Sequence, residues 1–237
     1  MDLGGDTVDL AELARRLAFA LVPMILSLSV HEYAHALCAF KLGDTTARDA
    51  GRLTLNPQSH IDPWGTLIIP ALSAVMGGVA FIGWARPTPM RADRFRDGVP
   101  RRLGAAAVSA AGPISNVLLA LLAVGAMAAL ERVGVALYHT VDADNGVVLR
   151  RTPLGLLLHS MFMLNIALAF FNLLPIPPLD GHRLLPPAFD PIVRPLTRYG
   201  FAILIGVFFL LPKVAALVFY RPLGYVTLHV EQWFGVV

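Results

Sequence analysis

The chain has 237 residues, of which 56% are hydrophobic and only 15% charged, with a formal net charge of +3 and a mean hydropathy of +0.65. A soluble domain carries about 25% charged residues, so this composition excludes an ordinary soluble globule and points to an integral membrane protein. No basic tract with interleaved aromatics is present, so the positive charge reads as loop bias at an anionic membrane and excludes a nucleic-acid partner.

The first long apolar run covers about residues 13–41. Asp2, Asp6, Asp9 and Glu12 dominate its N-terminal flank, and no small-residue cleavage site follows, so it reads as a retained helix and not as a signal peptide. Its single cysteine, Cys38, is the only one in the chain, which excludes an intrachain disulfide and a thiolate metal site. Further membrane helices are expected at about 104–130, 154–174 and 199–220, each near or above the roughly 20 residues needed to cross. A shorter apolar segment, 66–82, contains Pro70, Gly77 and Gly78. Basic residues lie on both sides of it: Lys41, Arg48 and Arg52 before, and Arg86, Arg91, Arg94, Arg96, Arg101 and Arg102 after. A full crossing would put these loops on opposite faces, against the positive-inside rule. The segment therefore reads as re-entrant, with both loops cytoplasmic and the 131–153 loop (Asp142, Asp144, Asn145) outside. The expected fold is an all-α polytopic bundle of four to six membrane segments with a short β-like or re-entrant element. It forms one domain over 1–237, with a core at about 13–190 and an accessory segment at 199–220. No inserted domain between 116 and 172 and no appended domain after 220 is expected.

The chemistry concentrates in His31-Glu32-Tyr33-Ala34-His35. Histidines four apart share one helix face, close enough to hold one metal ion. Glu32 is turned about 100° away and is free to accept a proton from water acidified by that metal. Each charged group at helix centre costs about 2.5–3.5 kcal/mol on insertion scales. Three ionisable groups in one turn need compensation, and a metal supplies it. A catalytic zinc takes three protein ligands and keeps one open position, so a third ligand is needed from elsewhere. In Asn172-Leu173-Leu174-Pro175-Ile176-Pro177-Pro178-Leu179-Asp180-Gly181-His182, three prolines stop the helix and Gly181 permits a bend. Asp180 is either that ligand or the solvated aspartate of a turn.

The segments HEYAH (31–35), GRLTLNPQSHIDPWGT (51–66), GWARPTP (83–89), AGPISN (111–116) and NLLPIPPLDGHR (172–183) resemble, in order, the pattern of the site-2 protease family, peptidase family M50. HExxH alone is moderately specific; followed by N-x-x-P-x-x-P-L-D-G it is highly specific. The resemblance implies one Zn2+ per chain held by His31, His35 and Asp180, with Glu32 as general base. It also implies an oxyanion role for Asn172, whose carboxamide can donate to the developing charge, and a strand edge at Gly83, Trp84 and Ala85 that holds an unwound substrate. His182 departs from the family, where many members have a second glycine, and implies an altered loop shape. Asn116, following Gly112-Pro113, reads mainly as helix-packing glue, and His60 mainly as a loop brace. His139, His159 and His229 have no ligand-like company.

The expected activity is hydrolysis of peptide bonds in or near the membrane spans of single-span proteins, as in regulated intramembrane proteolysis. The expected place is the cell's inner or plasma membrane, with the active site towards the cytoplasm. Because a helical peptide bond is shielded, the substrate must unwind. A silent membrane scaffold and a metal transporter are the competing classes. Intact Glu32 argues against the first, and the scarcity of polar groups in the third and fourth helices against the second.

Overall fold

The computed structural model describes residues 10–75, 83–143, 146–200, 202–203, 206, 210 and 212–234. Helix α1 runs Leu10–Lys41 and α2 Arg101–Arg132; strands β1 (Tyr138–Ala143) and β2 (Gly146–Arg151) follow; α3 runs Pro153–Asn172, α4 Asp190–Thr197 and α5 Arg221–Phe234. Helices α1, α2 and α3 are each long and apolar enough to cross a membrane. At 1.5 Å per residue, the 32-residue α1 is about 48 Å long, longer than the roughly 30 Å of hydrocarbon. The expected fourth span, 199–220, is described in part, with residues 201, 204–205, 207–209 and 211 outside the described residues. Its described end continues through Pro212–Ala215 and a π turn at Ala216–Tyr220 into α5, so helix persists well past residue 220.

Local chemistry sets the ends of these helices. In the first turn of α1, Glu12 accepts from Arg15 Nε at 2.7 Å and Arg16 Nε at 2.8 Å, an acid where the helix dipole favours one. After Lys41 the chain reverses at Gly43, whose φ of 106° suits glycine. A Cβ there would lie 2.8 Å from Arg96 N. Asp44 then drops fully inside, accepting from Thr46 N at 2.9 Å and Arg91 N at 2.6 Å. This ties the C-terminal end of α1 to the arginine-rich loop. At the start of α3, Thr152 caps the helix by accepting from Gly155 N.

Small residues let the helices approach closely. Ala120, Ala123, Val124 and Met127 of α2 bury against Phe162, Ile166 and Ala167 of α3, with Leu223 of α5 completing the cluster. A second cluster joins Met24 and Leu28 of α1, Leu164 and Leu168 of α3, and Ala85.

Two segments differ from, or sharpen, the expectation. The 131–153 connection is not a plain loop: β1 and β2 form an antiparallel hairpin pairing Tyr138 with Arg151 and Ala143 with Gly146. Residues 144–145 at its tip lie outside the described residues. Val141, Val147 and Val148 are β-branched residue types, which favour strand. Within the re-entrant segment, a π turn at Pro63–Ile68 passes into a helix at Ile69–Val75; residues 76–82 lie outside the described residues. The chain returns as a strip at 83–89 that is neither helix nor ladder strand, with the alternate N–H groups of Trp84, Arg86 and Thr88 all bonded. Trp84 N donates to Gly65 O at 3.2 Å and Arg86 N to His60 O at 2.9 Å. The segment therefore starts and ends at one place, which a bilayer-crossing span, with its ends about 30 Å apart, cannot do.

Candidate metal centre

The i,i+4 spacing on α1 brings the rings of His31 and His35 edge to face, centroids 4.6 Å apart, with their Nε2 atoms 3.0 Å apart. Both residues are buried. The other ring nitrogens are engaged from α2. His31 Nδ1 lies 2.6 Å from Asn116 Oδ1, and His35 Nδ1 lies 2.6 Å from Val108 O. Both partners only accept, so each Nδ1 carries the proton and each Nε2 presents a lone pair. The orientation of Asn116 is set by its far side, where Nδ2 donates to Asn165 Oδ1 at 2.8 Å; Asn165 Nδ2 in turn donates to Ser27 Oγ at 2.8 Å. This relay links α1, α2 and α3 behind the imidazoles. Asn116 and Asn165 are both fully buried.

Asp180 arrives from the far end of α3. The helix stops at Asn172, the proline-rich bend turns the chain, and a 3-10 turn at Asp180–Leu184 holds the aspartate at its first position. Asp180 Oδ2 sits 3.2 Å from His31 Nε2 and 3.3 Å from His35 Nε2. Burial opposes ionisation of this carboxyl, but imidazoles that take up a proton at Nε2 donate to Oδ2 and hold it well below the usual carboxylate range. Gly112 of α2 makes room for the set: a Cβ there would lie 2.4 Å from His35 Nε2 and 2.6 Å from His31 Nε2.

Three lone-pair atoms thus converge, and without a cation between them they repel. The ligand atoms of His31, His35 and Asp180 all lie within 4.8 Å of one another. Two ligands about 2.0 Å from a zinc ion at the tetrahedral angle stand about 3.3 Å apart, close to the separations seen. A two-nitrogen, one-oxygen set without thiolate suits Zn2+ and leaves a fourth position open.

Glu32 is 9% exposed. Its Oε2 accepts from Thr88 N at 2.8 Å, and its main-chain oxygen accepts from Thr88 Oγ1 at 3.1 Å. Asn172 Nδ2 donates one hydrogen to Leu168 O at 3.0 Å within its own helix; a carboxamide has a second to give. His60 is 1% exposed and bonds Thr54 O through Nε2 at 2.8 Å, bracing the loop that holds the strip. Along the strip, Trp84 and Arg86 are tied by their main chain to the 60–66 loop, where Thr66 Oγ1 also donates to Trp84 O at 2.8 Å. The main-chain groups of Gly83 and Ala85, which face the other edge, have no hydrogen-bond partner among the described residues. Ala85 points its side chain into the core.

Three further residues, Asn165, Val108 and Thr88, serve the site without having been singled out from the sequence. Asn165 carries a signal, being a carboxamide in an otherwise apolar span. Val108 acts through its carbonyl and Thr88 through its amide as well as its hydroxyl, and main-chain atoms leave no mark in the choice of residue.

The model of peptidase family M50 matches residues 135–212, a stretch that holds Asn172 and Asp180. The chain is 36% identical to "Putative zinc metalloprotease YwhC" of Bacillus subtilis (strain 168) over 194 residues, 80% of each protein. It is 30% identical over 187 residues to "Putative zinc metalloprotease Rip2" of Mycolicibacterium smegmatis, covering 76% of this chain and 62% of that protein. Its identity to the protein of the same name in Mycobacterium tuberculosis (strain H37Rv) is 28% over 207 residues, 84% of this chain and 67% of that one. No solved structure matches the chain at a significant level.

Proposed function

The chain belongs to peptidase family M50, the site-2 proteases, and from that membership we propose that His31, His35 and Asp180 hold the zinc of this intramembrane metalloprotease and that Glu32 is its general base. The observation that carries this reading is the convergence of two Nε2 atoms and a carboxylate oxygen on one point.

When bound, zinc acidifies water and polarises a peptide carbonyl. The chain's own groups do the rest. Asn116 and Val108 O keep the two imidazoles in the ligating tautomer. Glu32 takes a proton from water as the water oxygen bonds to the scissile carbonyl carbon. It returns the proton to the departing amine nitrogen as the C–N bond breaks. Asn172 turns its second N–H to the carbonyl oxygen as negative charge builds there.

The substrate is a single-span membrane protein that unwinds locally and pairs with the open edge at Gly83 and Ala85, Trp84 setting that edge by its bonds to the loop. The basic loops at 41–65 and 85–103 put the centre on the cytoplasmic side of the cell membrane. Full-length protein in proteoliposomes tests this with a single-span reporter whose leucine span is interrupted by Gly, Asn and Pro. Glu32→Gln is expected to keep one zinc per chain and to lose at least 100-fold in cleavage. Cleavage by Glu32→Gln at the wild-type rate refutes the assignment.

A further inference from the structure

The strip at 83–89 faces two ways. Successive main-chain groups of an extended chain point to opposite edges, so the N–H groups of Trp84, Arg86 and Thr88 share one edge. Their partners are Gly65 O at 3.2 Å, His60 O at 2.9 Å and Glu32 Oε2 at 2.8 Å. The first two are loop carbonyls. The third is the one carboxylate whose job is to move a proton. Thr88 is also joined to the backbone of α1, its hydroxyl donating to Glu32 O at 3.1 Å.

Two prolines stiffen this placement. Pro87 and Pro89 flank Thr88, and a residue before proline is driven to extended backbone, so Arg86 and Thr88 are both held extended. Pro87 and Pro89 have no N–H of their own, leaving the Thr88 amide as the sole main-chain donor within the Pro87-Thr88-Pro89 triplet. The arrangement aims one amide at one carboxylate oxygen, while the other, Oε1, has no hydrogen-bond partner among the described residues and can take a proton.

We infer that Thr88 is a positioning residue: its main-chain N–H holds the Glu32 carboxylate at the angle from which it exchanges protons with water, on the same strip whose opposite edge receives the substrate. The inference rests on Glu32 as general base and adds the group that orients it. Because the contact uses the amide, the side chain at 88 is replaceable in a way the N–H is not. Substrate pairing at Gly83 and Ala85 and base placement at Thr88 are separated by only Arg86 and Pro87, so a strip correctly docked against the 60–66 loop delivers both.

Zinc-loaded full-length protein supplies two readouts. The first is hydrogen exchange at the Thr88 amide. Glu32→Ala removes its acceptor and is expected to speed exchange there at least tenfold, with the Arg86 amide, bonded to His60 O, changed less than twofold. Unchanged exchange at Thr88 overturns the inference, and so does equal acceleration at both amides, which would report general loosening. The second readout is kinetic, on the interrupted-leucine reporter. Thr88→Pro deletes the N–H in a chain already extended. It is expected to lower kcat on the order of 100-fold, with KM and zinc content within twofold of wild type. Thr88→Val keeps the amide and is expected to recover kcat to within about threefold. Wild-type kcat in Thr88→Pro refutes the inference, as does a loss in Thr88→Val equal to that in Thr88→Pro. Should Thr88→Pro fail to fold or to bind zinc, the exchange measurement decides. If Glu32→Gln cleaves normally, the general-base assignment fails, while the exchange result still reports whether Thr88 holds the carboxylate.

Discussion

Replacing Asn116 with alanine separates the metal centre from the helix bundle that carries it. The carboxamide makes two contacts that define the site: Oδ1 accepts from His31 Nδ1 at 2.6 Å and Nδ2 donates to Asn165 Oδ1 at 2.8 Å. Alanine leaves a buried ring N–H and a buried carbonyl oxygen without those partners. In water-soluble cores each orphan costs about 1–3 kcal/mol, but polar pairs between membrane helices average about 0.6 kcal/mol because the unfolded chain finds partners in the bilayer. Two lost contacts therefore cost about 1.2 kcal/mol of bundle stability. The ligand loses more. Without its acceptor, His31 is free to move its proton to Nε2 and to rotate, and loss of such an outer partner lowers metal affinity about 10–100-fold, or about 1.4–2.7 kcal/mol. The assay is zinc competition against a chelator of known affinity at pH 7, alongside thermal unfolding of the same preparations in detergent. The expected result is an affinity drop of at least tenfold with a small thermal shift. Zinc affinity within twofold of wild type would show that Asn116 does not hold the imidazole, and the account of the relay would fall. Adding Asn165→Ala to Asn116→Ala is expected to change zinc affinity little further, since the two carboxamides act in series.

Two further outcomes follow from the geometry. Gly112→Ala puts a methyl 2.4–2.6 Å from both ligating rings, where one of the rings or α2 must shift. Zinc content after dialysis is expected to fall below half of wild type with the helical circular dichroism retained; full zinc occupancy would refute the close approach. Acid release of zinc is expected to follow protonation of the two imidazoles and not of Asp180. Both histidines must be neutral to ligate, whereas the Asp180 carboxyl is held well below the usual range and stays ionised from about pH 4 upward. By linkage, a depressed carboxyl contributes to the site above its ordinary pKa near about 3.9 and loses that contribution only as pH falls below it. Metal retention titrated downward from pH 8 should show a two-proton dependence; a three-proton dependence reaching above pH 5 would place the carboxylate elsewhere.

Much of the site is legible in the chain. Two histidines and a glutamate inside an apolar run are costly, so their presence in the sequence alone points to a metal. Helices α1, α2 and α3 end within three residues of the bounds expected from the apolar runs, because length and apolar content decide them. The charge of the flanking loops suggests the re-entrant path, and the hydrogen bonds from Trp84 and Arg86 to the 60–65 loop join its ends. The hairpin at 138–151 departs from the expected loop. Loop charge assigns that connection a side of the membrane, but it carries no information on strand pairing.

The order of residues by itself determined the local chemistry: two imidazoles on one helix face, a glutamate beside them, a proline-broken bend that presents an aspartate. These follow from helical periodicity and from the missing N–H of proline, which act over a few residues. The tertiary structure decided what those groups meet. It brought Asp180 to His31 and to His35, which stands 145 positions earlier in the chain. It set the tautomers through Asn116 and the carbonyl of Val108, and gave Glu32 the amide of Thr88. Main-chain donors and acceptors are the same in every residue but proline, so only the path of the chain reveals which of them reach the site.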